Sequence, residues 1–434
     1  MSPAGKLDPE AMAAGTRRRV TRRLIPYLMF LYLLAYLDRV NLSIAKIGMQ
    51  RDLGFDDAVI GFGAGIFFLG YLLLDIPGSL IVERWSARKW IARIMVTWGM
   101  IAAVTAFLGA STRQFYLLRF SLGLSEAGFF PGVVVFLSHW YRAADRPRAK
   151  AYFMVTQPIA VALGLPVSRL IMENVHWLGW AGWRWVFILE GIPPVVMGVI
   201  TWFYLTDRPA QARWLPDDER EWLRAELARE EAAKVAAGKV RMLDALRHAP
   251  ILLLAASFFL MITGNQALIF FLPSIMDNMK SVSIPARTAM TAAPYVCSAA
   301  GILLNGLWAQ RTGKLRWHTC LPMIATGISL SLAILSAQYL PAVIACFCLA
   351  GLTSQAYLPA LWSLPSTLLG KSAAALAIGF INLANIGGFV GPYLFGYLRT
   401  TTGSYEAGLW FLAACMIAAG LIASRVGARK TETL

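Results

Sequence analysis

The sequence predicts an all-α, polytopic membrane protein of twelve transmembrane helices in two six-helix halves. Three observations carry that expectation. Hydrophobic residues make up 58% of the 434 and charged residues only 15%, more apolar surface than a soluble chain of this length can hide. Apolar runs of about 20 residues, the length that crosses a bilayer, recur twelve times. One long polar stretch, 206–249, falls in the middle and leaves six runs on either side.

Residues 1–23 form a basic, Ala-rich tail. The first run, 24–44, exceeds the apolar core of a secretory signal and carries no small-residue cleavage site, so it reads as a retained span. The first half, 24–205, continues with runs near 57–82, 90–110, 114–138, 148–172 and 183–205. The linker 206–249 contains the amphipathic run Asp217–Leu223. The second half, 250–425, holds runs near 250–277, 286–310, 318–337, 340–365, 372–398 and 405–425, and 426–434 is the C-terminal tail. Cys297, Cys320, Cys346, Cys348 and Cys415 lie in or beside apolar stretches without metal-like spacing and read as small buried hydrophobes.

The net charge of +16 is a topology signal. Thirty of the 40 Lys and Arg residues fall in the tails and in the loops after even-numbered spans, seven in the opposite loops and three within spans. The positive-inside rule then places both termini and the linker in the cytoplasm. That distribution argues against nucleic acid as a partner.

Charge inside the spans points to function. Asp38 and Arg39 interrupt the first apolar run, and Arg119 and Glu126 the fourth. A charge at the bilayer centre costs roughly 2.5–3.5 kcal/mol on insertion scales, so such residues face a bundle interior or a wet cavity and mark a path for ions or solutes. Glu126 follows Arg119 by seven positions, two helical turns along about the same face. Desolvation penalises a carboxylate's charge and a nearby guanidinium favours it, a balance suited to taking up and releasing a proton. An Arg keeps its charge and grips a carboxylate with two parallel hydrogen bonds.

Several local sequences extend the pattern. The loop after the second span reads Ser79-Leu80-Ile81-Val82-Glu83-Arg84-Trp85-Ser86-Ala87-Arg88-Lys89. The fourth span carries Arg119-Phe120-x-x-Gly123-x-x-Glu126-Ala127-Gly128-Phe129-Phe130-Pro131-Gly132, and the first Tyr36-Leu37-Asp38-Arg39-Val40-Asn41. Gly182-Trp183-Arg184-Trp185 with Glu190-Gly191 opens the sixth, and Asn382-x-x-Asn385-Ile386-Gly387-Gly388-Phe389-x-Gly391-Pro392 lies in the eleventh. With these motifs, the chain resembles the major facilitator superfamily, specifically its anion:cation symporter branch, over nearly its whole length.

The resemblance implies halves built from inverted three-helix repeats, with a site between them near the midplane. It makes Glu126 the first candidate for the proton-coupling carboxylate and Asp38 the second, with Arg119 and Arg39 as charge partners and anion clamp. The same matching offers Tyr36, Tyr71, Gln157 and Asn385 as substrate contacts. Glu83, Arg84 and Arg88 match a cytoplasmic gating loop of the form Gly-x-x-x-Asp-Arg-x-Gly-Arg-Arg, from which Ser79, Glu83 and Ser86 depart.

Plainer readings stand beside these. The four buried charges also fit static ion pairs that fix helix packing, and the four polar contacts fit ordinary interhelix hydrogen bonds. Arg184 suits an outer-end anchor, Asp75 a helix end or gate, and His139 the membrane interface. Gly61-x-Gly63-x-Gly65 has no preceding strand and reads as close helix packing. No P-loop, zinc-ligand spacing or nucleophile elbow appears in the sequence, so the expectation is no enzyme and no cofactor. The sequence-based reading is a proton-coupled importer of a small organic anion. Tartrate-like hydroxy or dicarboxylic acids lead, followed by aromatic acids (phthalate, hydroxyphenylacetate) and sugar acids. It is expected to act as a monomer among the lipids of a bacterial inner membrane. An anion exchanger, an exporter and a solute sensor are the alternatives.

Overall fold

In lipid a backbone has no water to bond, so the long apolar runs must form helices that satisfy their own N–H and C=O groups. The computed structural model describes residues 9–236, 249–279, 282–368 and 371–426. Among the described residues it contains sixteen α-helices and no strand.

The first three spans are single helices, α1 (Pro9–Leu53), α2 (Asp57–Arg84) and α3 (Ala87–Thr105). Helix α1 starts well upstream of residue 24 and carries the basic tail residues Arg17 and Arg19 into ion pairs with Asp145 and Glu219. The fourth span is broken into α4 (Thr112–Glu126) and α5 (Phe129–Ser138). Spans five and six are α6 (Arg146–Asn174) and α7 (Gly182–Tyr204), and the linker contributes α8 (Asp217–Ala236). In the second half, α9 (Ala249–Asp277), α10 (Ile284–Thr312) and α11 (Leu315–Leu335) are continuous. Span ten is broken into α12 (Leu340–Ser354) and α13 (Leu358–Leu368). Span eleven is α14 (Lys371–Asn382), a short 3₁₀ turn at Leu383–Ile386, and α15 (Gly387–Thr402). Helix α16 (Glu406–Ala423) closes the bundle.

Eleven of these stretches are long and apolar enough to cross a membrane. The remaining span, α3, is a 19-residue helix whose first turns carry Arg88, Lys89 and Arg93, which shortens its apolar length. Within the first half, α3 packs on α7, α1 on α6 and α2 on α4. In the second, α11 and α9 pack on α16, and α10 on α12.

The halves meet where α2 lies against α15, α6 against α10 and α1 against α9. Small residues permit the approach of α2 to α15. A Cβ on Gly61 would sit 2.4 Å from the carbonyl oxygen of Pro392, so the glycine run read as close packing does serve that purpose.

Candidate functional site

The fourth span breaks at the residue that matters most. Gly128 has φ +81°, a left-handed conformation that glycine adopts without a side-chain clash, and it ends α4 two residues after Glu126. A Cβ there would also approach the Gly78 backbone to 3.0 Å. Pro131, in the first turn of α5, has no N–H to lose at that position. The break thus leaves the Glu126 carboxyl at the last turn of α4, fully buried and facing α1.

Arg39 answers it from α1. Its Nε and Nη2 both lie 2.7 Å from Glu126 Oε1. The guanidinium sits among three rings, 5.0 Å from the centroids of Tyr36 and Tyr71 and 5.6 Å from that of Phe67. Rings at this distance favour a cation through their quadrupoles, so the Arg39 charge is held by an acid and an aromatic cage together. Glu126 Oε2 is buried without a hydrogen-bond partner.

The second acid and base are arranged differently. Asp38, one residue from Arg39 and therefore turned to another face of α1, accepts a hydrogen bond from Asn41 Nδ2 at 3.1 Å through Oδ1, while its Oδ2 has no partner. Arg119 Nε donates to the Gly63 carbonyl at 3.4 Å, and its guanidinium lies 5.2 Å from the Phe67 ring. Among the described residues no carboxylate comes within 4.0 Å of Arg119. The seven-residue spacing sets Arg119 and Glu126 two turns, about 10 Å, apart along α4, and in the fold it is Arg39 of α1 that pairs with Glu126. Arg119 is left as a buried cation with donor capacity to spare.

Of the four expected substrate contacts, Tyr36 and Tyr71 come together around Arg39 as cage walls. Asn385 lies in the 3₁₀ turn of span eleven and donates to Asn382 O and Oδ1, both at 2.8 Å. Asn382 Nδ2 in turn donates to Asp75 Oδ2 at 3.1 Å. That chain links the two halves, and Asp75 is its first-half anchor. Gln157, half-buried on α6, makes no hydrogen bond with the described residues.

For the expected gate, the side chains of Glu83 and Arg84 lie outside what the structure describes. Arg88 is anchored within its own half. Its backbone N–H donates to Asp207 Oδ1 at 2.9 Å, and its Nε is 3.9 Å from Asp207 Oδ2. Ser86, where the resembled loop has glycine, caps α3 by accepting from the Lys89 N–H at 3.1 Å and donates to Asp207 Oδ2 at 2.7 Å. The departure from glycine is used.

Three groups escaped the sequence reading, and a fourth, Glu190, stood in the sixth-span motif without a partner. Glu190 on α7 is 5% exposed and accepts from Ser168 Oγ at 2.7 Å. Gln355, at the break between α12 and α13, is 2% exposed and has an unpartnered Oε1. The other two groups are ionic and lie at the end of the bundle opposite the termini. Arg169 of the first half contacts Asp277 of the second, and Asp277 also lies 3.6 Å from Arg287. Asp57 lies 3.7 Å from Lys46 and 3.9 Å from Arg399 of the second half, while the Lys46 ammonium rests 3.7 Å from the Phe271 ring centroid. Lys46 is wholly buried. No ion pair joins the halves at the terminal end among the described residues; Arg17, Arg19, Arg88, Arg142 and Arg146 all pair within the first half or with the linker. The only sequence signal for these contacts was the position of Lys46, Arg169, Arg287 and Arg399 at span ends.

The described residues hold no cluster of His, Cys, Asp and Glu fit to bind a metal. The arrangement is a set of buried charges inside a bundle of long apolar helices, as a path for ions or solutes through a membrane requires.

Comparisons agree. The chain is 39% identical over 406 residues to "Putative tartrate transporter" of Agrobacterium vitis, covering 93% of each protein. It is 34% identical over 431 residues to "Quinolone resistance transporter" of Acinetobacter baumannii, covering 96% of this chain and 97% of the relative. In fold it is similar to the inward-open xylose transporter XylE of E. coli at TM-score 0.73 and 14% identity, covering 94% of this chain and 97% of that one. The family model for the Major Facilitator Superfamily matches residues 28–382. The chain is a membrane transporter of the Major Facilitator Superfamily, and not an enzyme.

Proposed function

We propose that this protein is a proton-coupled importer of a small organic anion in a bacterial inner membrane, with both termini in the cytoplasm, working as a monomer. The observation that carries the reading is the division of labour between two buried arginines. Arg39 is occupied by Glu126, and among the described residues Arg119 has no carboxylate within 4.0 Å.

In the proposed cycle a proton from the outer side neutralises Glu126 and frees Arg39. The anion then binds Arg119 and the released Arg39, with Tyr36, Tyr71, Gln157 and Asn385 offering hydrogen bonds to its oxygens. Occupied, the halves rock about the α2–α15 and α6–α10 contacts, closing the outer end through Arg169–Asp277 and Asp57–Arg399. Release to the cytoplasm lets Arg39 return to Glu126. The described conformation fits that last stage, because the Arg39–Glu126 pair is intact and, among the described residues, the ion pairs that join the halves lie at the outer end. Glu83, Arg84 and Arg88 would close the other end in the opposite state.

Tartrate or a similar hydroxy acid is the leading substrate, supported by the tartrate-transporter relative and by the hydrogen-bonding groups at the site. The quinolone-resistance relative favours a second reading, export in exchange for protons. Uptake into proteoliposomes with an acidic exterior separates the two. We expect tartrate, more than an aromatic acid or a sugar acid, to accumulate and the gradient to collapse with a protonophore. Absence of pH-driven accumulation of all three, with efflux on reversing the gradient, would instead establish export.

A further inference from the structure

Behind Asp38 lies a second set of buried oxygens that the proposed cycle does not use. Glu190 of α7 accepts one hydrogen bond, from Ser168 Oγ of α6 at 2.7 Å, and its Oε2 is buried with none. Helix α1 packs on α7 between the Tyr27–Thr201 and Gly48–Trp183 contacts, which bracket Asp38 and Asn41 on one side and Glu190 on the other; fully buried Asn41 donates through Nδ2 to Asp38, and its Oδ1 has no donor. Asp38 Oδ2 has none either.

Asp38 Oδ2, Asn41 Oδ1 and Glu190 Oε2 are therefore three buried acceptor oxygens without donors among the described residues. Buried polar atoms in folded proteins are nearly always satisfied, and each exception asks for an explanation. The neighbouring helices offer no cation to Glu190. From α1 the titratable group whose charge reaches it is Asp38, itself an acid. From α6 it meets Ser168, while the adjacent Arg169 turns to Asp277. Helix α3 packs on α7 around the Gly99–Gly191 contact, and Arg184 of α7 itself donates to the Ala106 carbonyl at the outer end. An ionised carboxylate with no cation in such a place is among the costliest groups to bury.

We propose that Glu190 carries a second transported proton. Its carboxylic O–H supplies the missing donor, and the proton is exchanged with Asp38. Glu190–CO₂H and Asp38–CO₂⁻ become Glu190–CO₂⁻ and Asp38–CO₂H, with Asn41 turning its amide to follow the proton. This rests on the symport reading above and adds that two carboxyls, Glu126 and the Glu190–Asp38 pair, each bring in a proton with the substrate.

Two measurements on the purified full-length protein test it. Infrared spectroscopy at neutral pH should show the carbonyl stretch of a protonated carboxylic acid in the wild type, lost in Glu190→Gln and kept in Glu190→Asp. In tartrate-loaded proteoliposomes, the slope of log accumulation against the pH difference should fall by about one in Glu190→Gln, or about tenfold less accumulation per pH unit, with counterflow exchange retained. Glu190→Asp should restore the slope. A protonated band absent from the wild type or persisting in Glu190→Gln overturns the proposal, as does an unchanged slope in a variant that still exchanges tartrate. If the wild type itself fails to accumulate anions, the symport reading falls, while the infrared band still decides whether Glu190 holds a proton. Should Glu190→Gln not fold, an unaltered slope in Asn41→Ala, which breaks the link to Asp38, overturns it equally.

Discussion

The two halves of this transporter share a plan and differ in chemistry. Each has a broken span at the corresponding place, α4–α5 in the first and α12–α13 in the second. At the first break stands Glu126, with Arg119 two turns earlier on the same helix and Asp38, Arg39 and Glu190 on α1 and α7. At the second stands Gln355, and the buried polar residues around it are all neutral, among them Asn265, Ser298, Ser354 and Thr326. Charges in the second half keep to the ends of its helices: Asp277, Arg287, Arg311, Arg316, Arg399 and Glu406. Discontinuous helices expose backbone and side chains where a solute can reach them. On the symport reading proposed above, the first half would carry the proton chemistry and the other would recognise neutral hydroxyls.

The comparison can be broken most severely at Arg39. Arg39→Ala should abolish transport and lower the melting temperature, because Glu126 and the Tyr36–Phe67–Tyr71 cage lose the charge they surround; removing one partner of a buried pair costs about 3–5 kcal/mol. Wild-type stability in that variant, measured by thermal unfolding in detergent, would show the pair to be dispensable. Arg119→Lys keeps the charge but loses the forked donor set. Substrate affinity should fall about tenfold to a hundredfold, matching the roughly 1.5–3 kcal/mol of a hydrogen bond to a charged group. Isothermal titration with tartrate reads this directly, and near-normal affinity would assign the anion clamp elsewhere.

In the second half the expected effects are smaller and of another kind. Gln355→Leu should weaken binding about threefold to tenfold, in line with about 0.5–1.5 kcal/mol for a neutral hydrogen bond, and leave the proton dependence untouched. A change in the pH dependence of uptake would show that coupling is shared between the halves. Smallest of all, Asp277→Asn should loosen the outer closure without touching the site. Hydrogen exchange in residues 282–290 should quicken, while affinity in the closed state holds.

Much of this was legible in the sequence because membrane-spanning chains obey few rules strongly. Twelve apolar runs and the Lys/Arg asymmetry were enough for the helices, and the rarity of charge in lipid singled out Asp38, Arg39, Arg119 and Glu126. What could not be read was direction. Helical periodicity set Glu126 two turns from Arg119, but its partner, Arg39, lies 87 residues away on α1 and is met only when the helices pack. The breaks at Gln355 and Asn385 were equally hidden, since no glycine marks the first and span eleven is apolar across its 3₁₀ turn. The sequence sets Glu190 near the same face of its span as Arg184, six residues away; in the fold Arg184 donates to the Ala106 carbonyl at the outer end, and Glu190 accepts from Ser168. Contacts such as Arg169–Asp277 join positions 108 residues apart, beyond the reach of any local pattern.

The central claim is that the first half couples protons through Glu126 while anion binding survives without that coupling. Glu126→Gln in proteoliposomes, with tartrate accumulation against a pH gradient and tartrate–tartrate counterflow measured in the same preparation, tests it most directly. The account predicts that accumulation vanishes and counterflow persists. Accumulation at the wild-type level would contradict it.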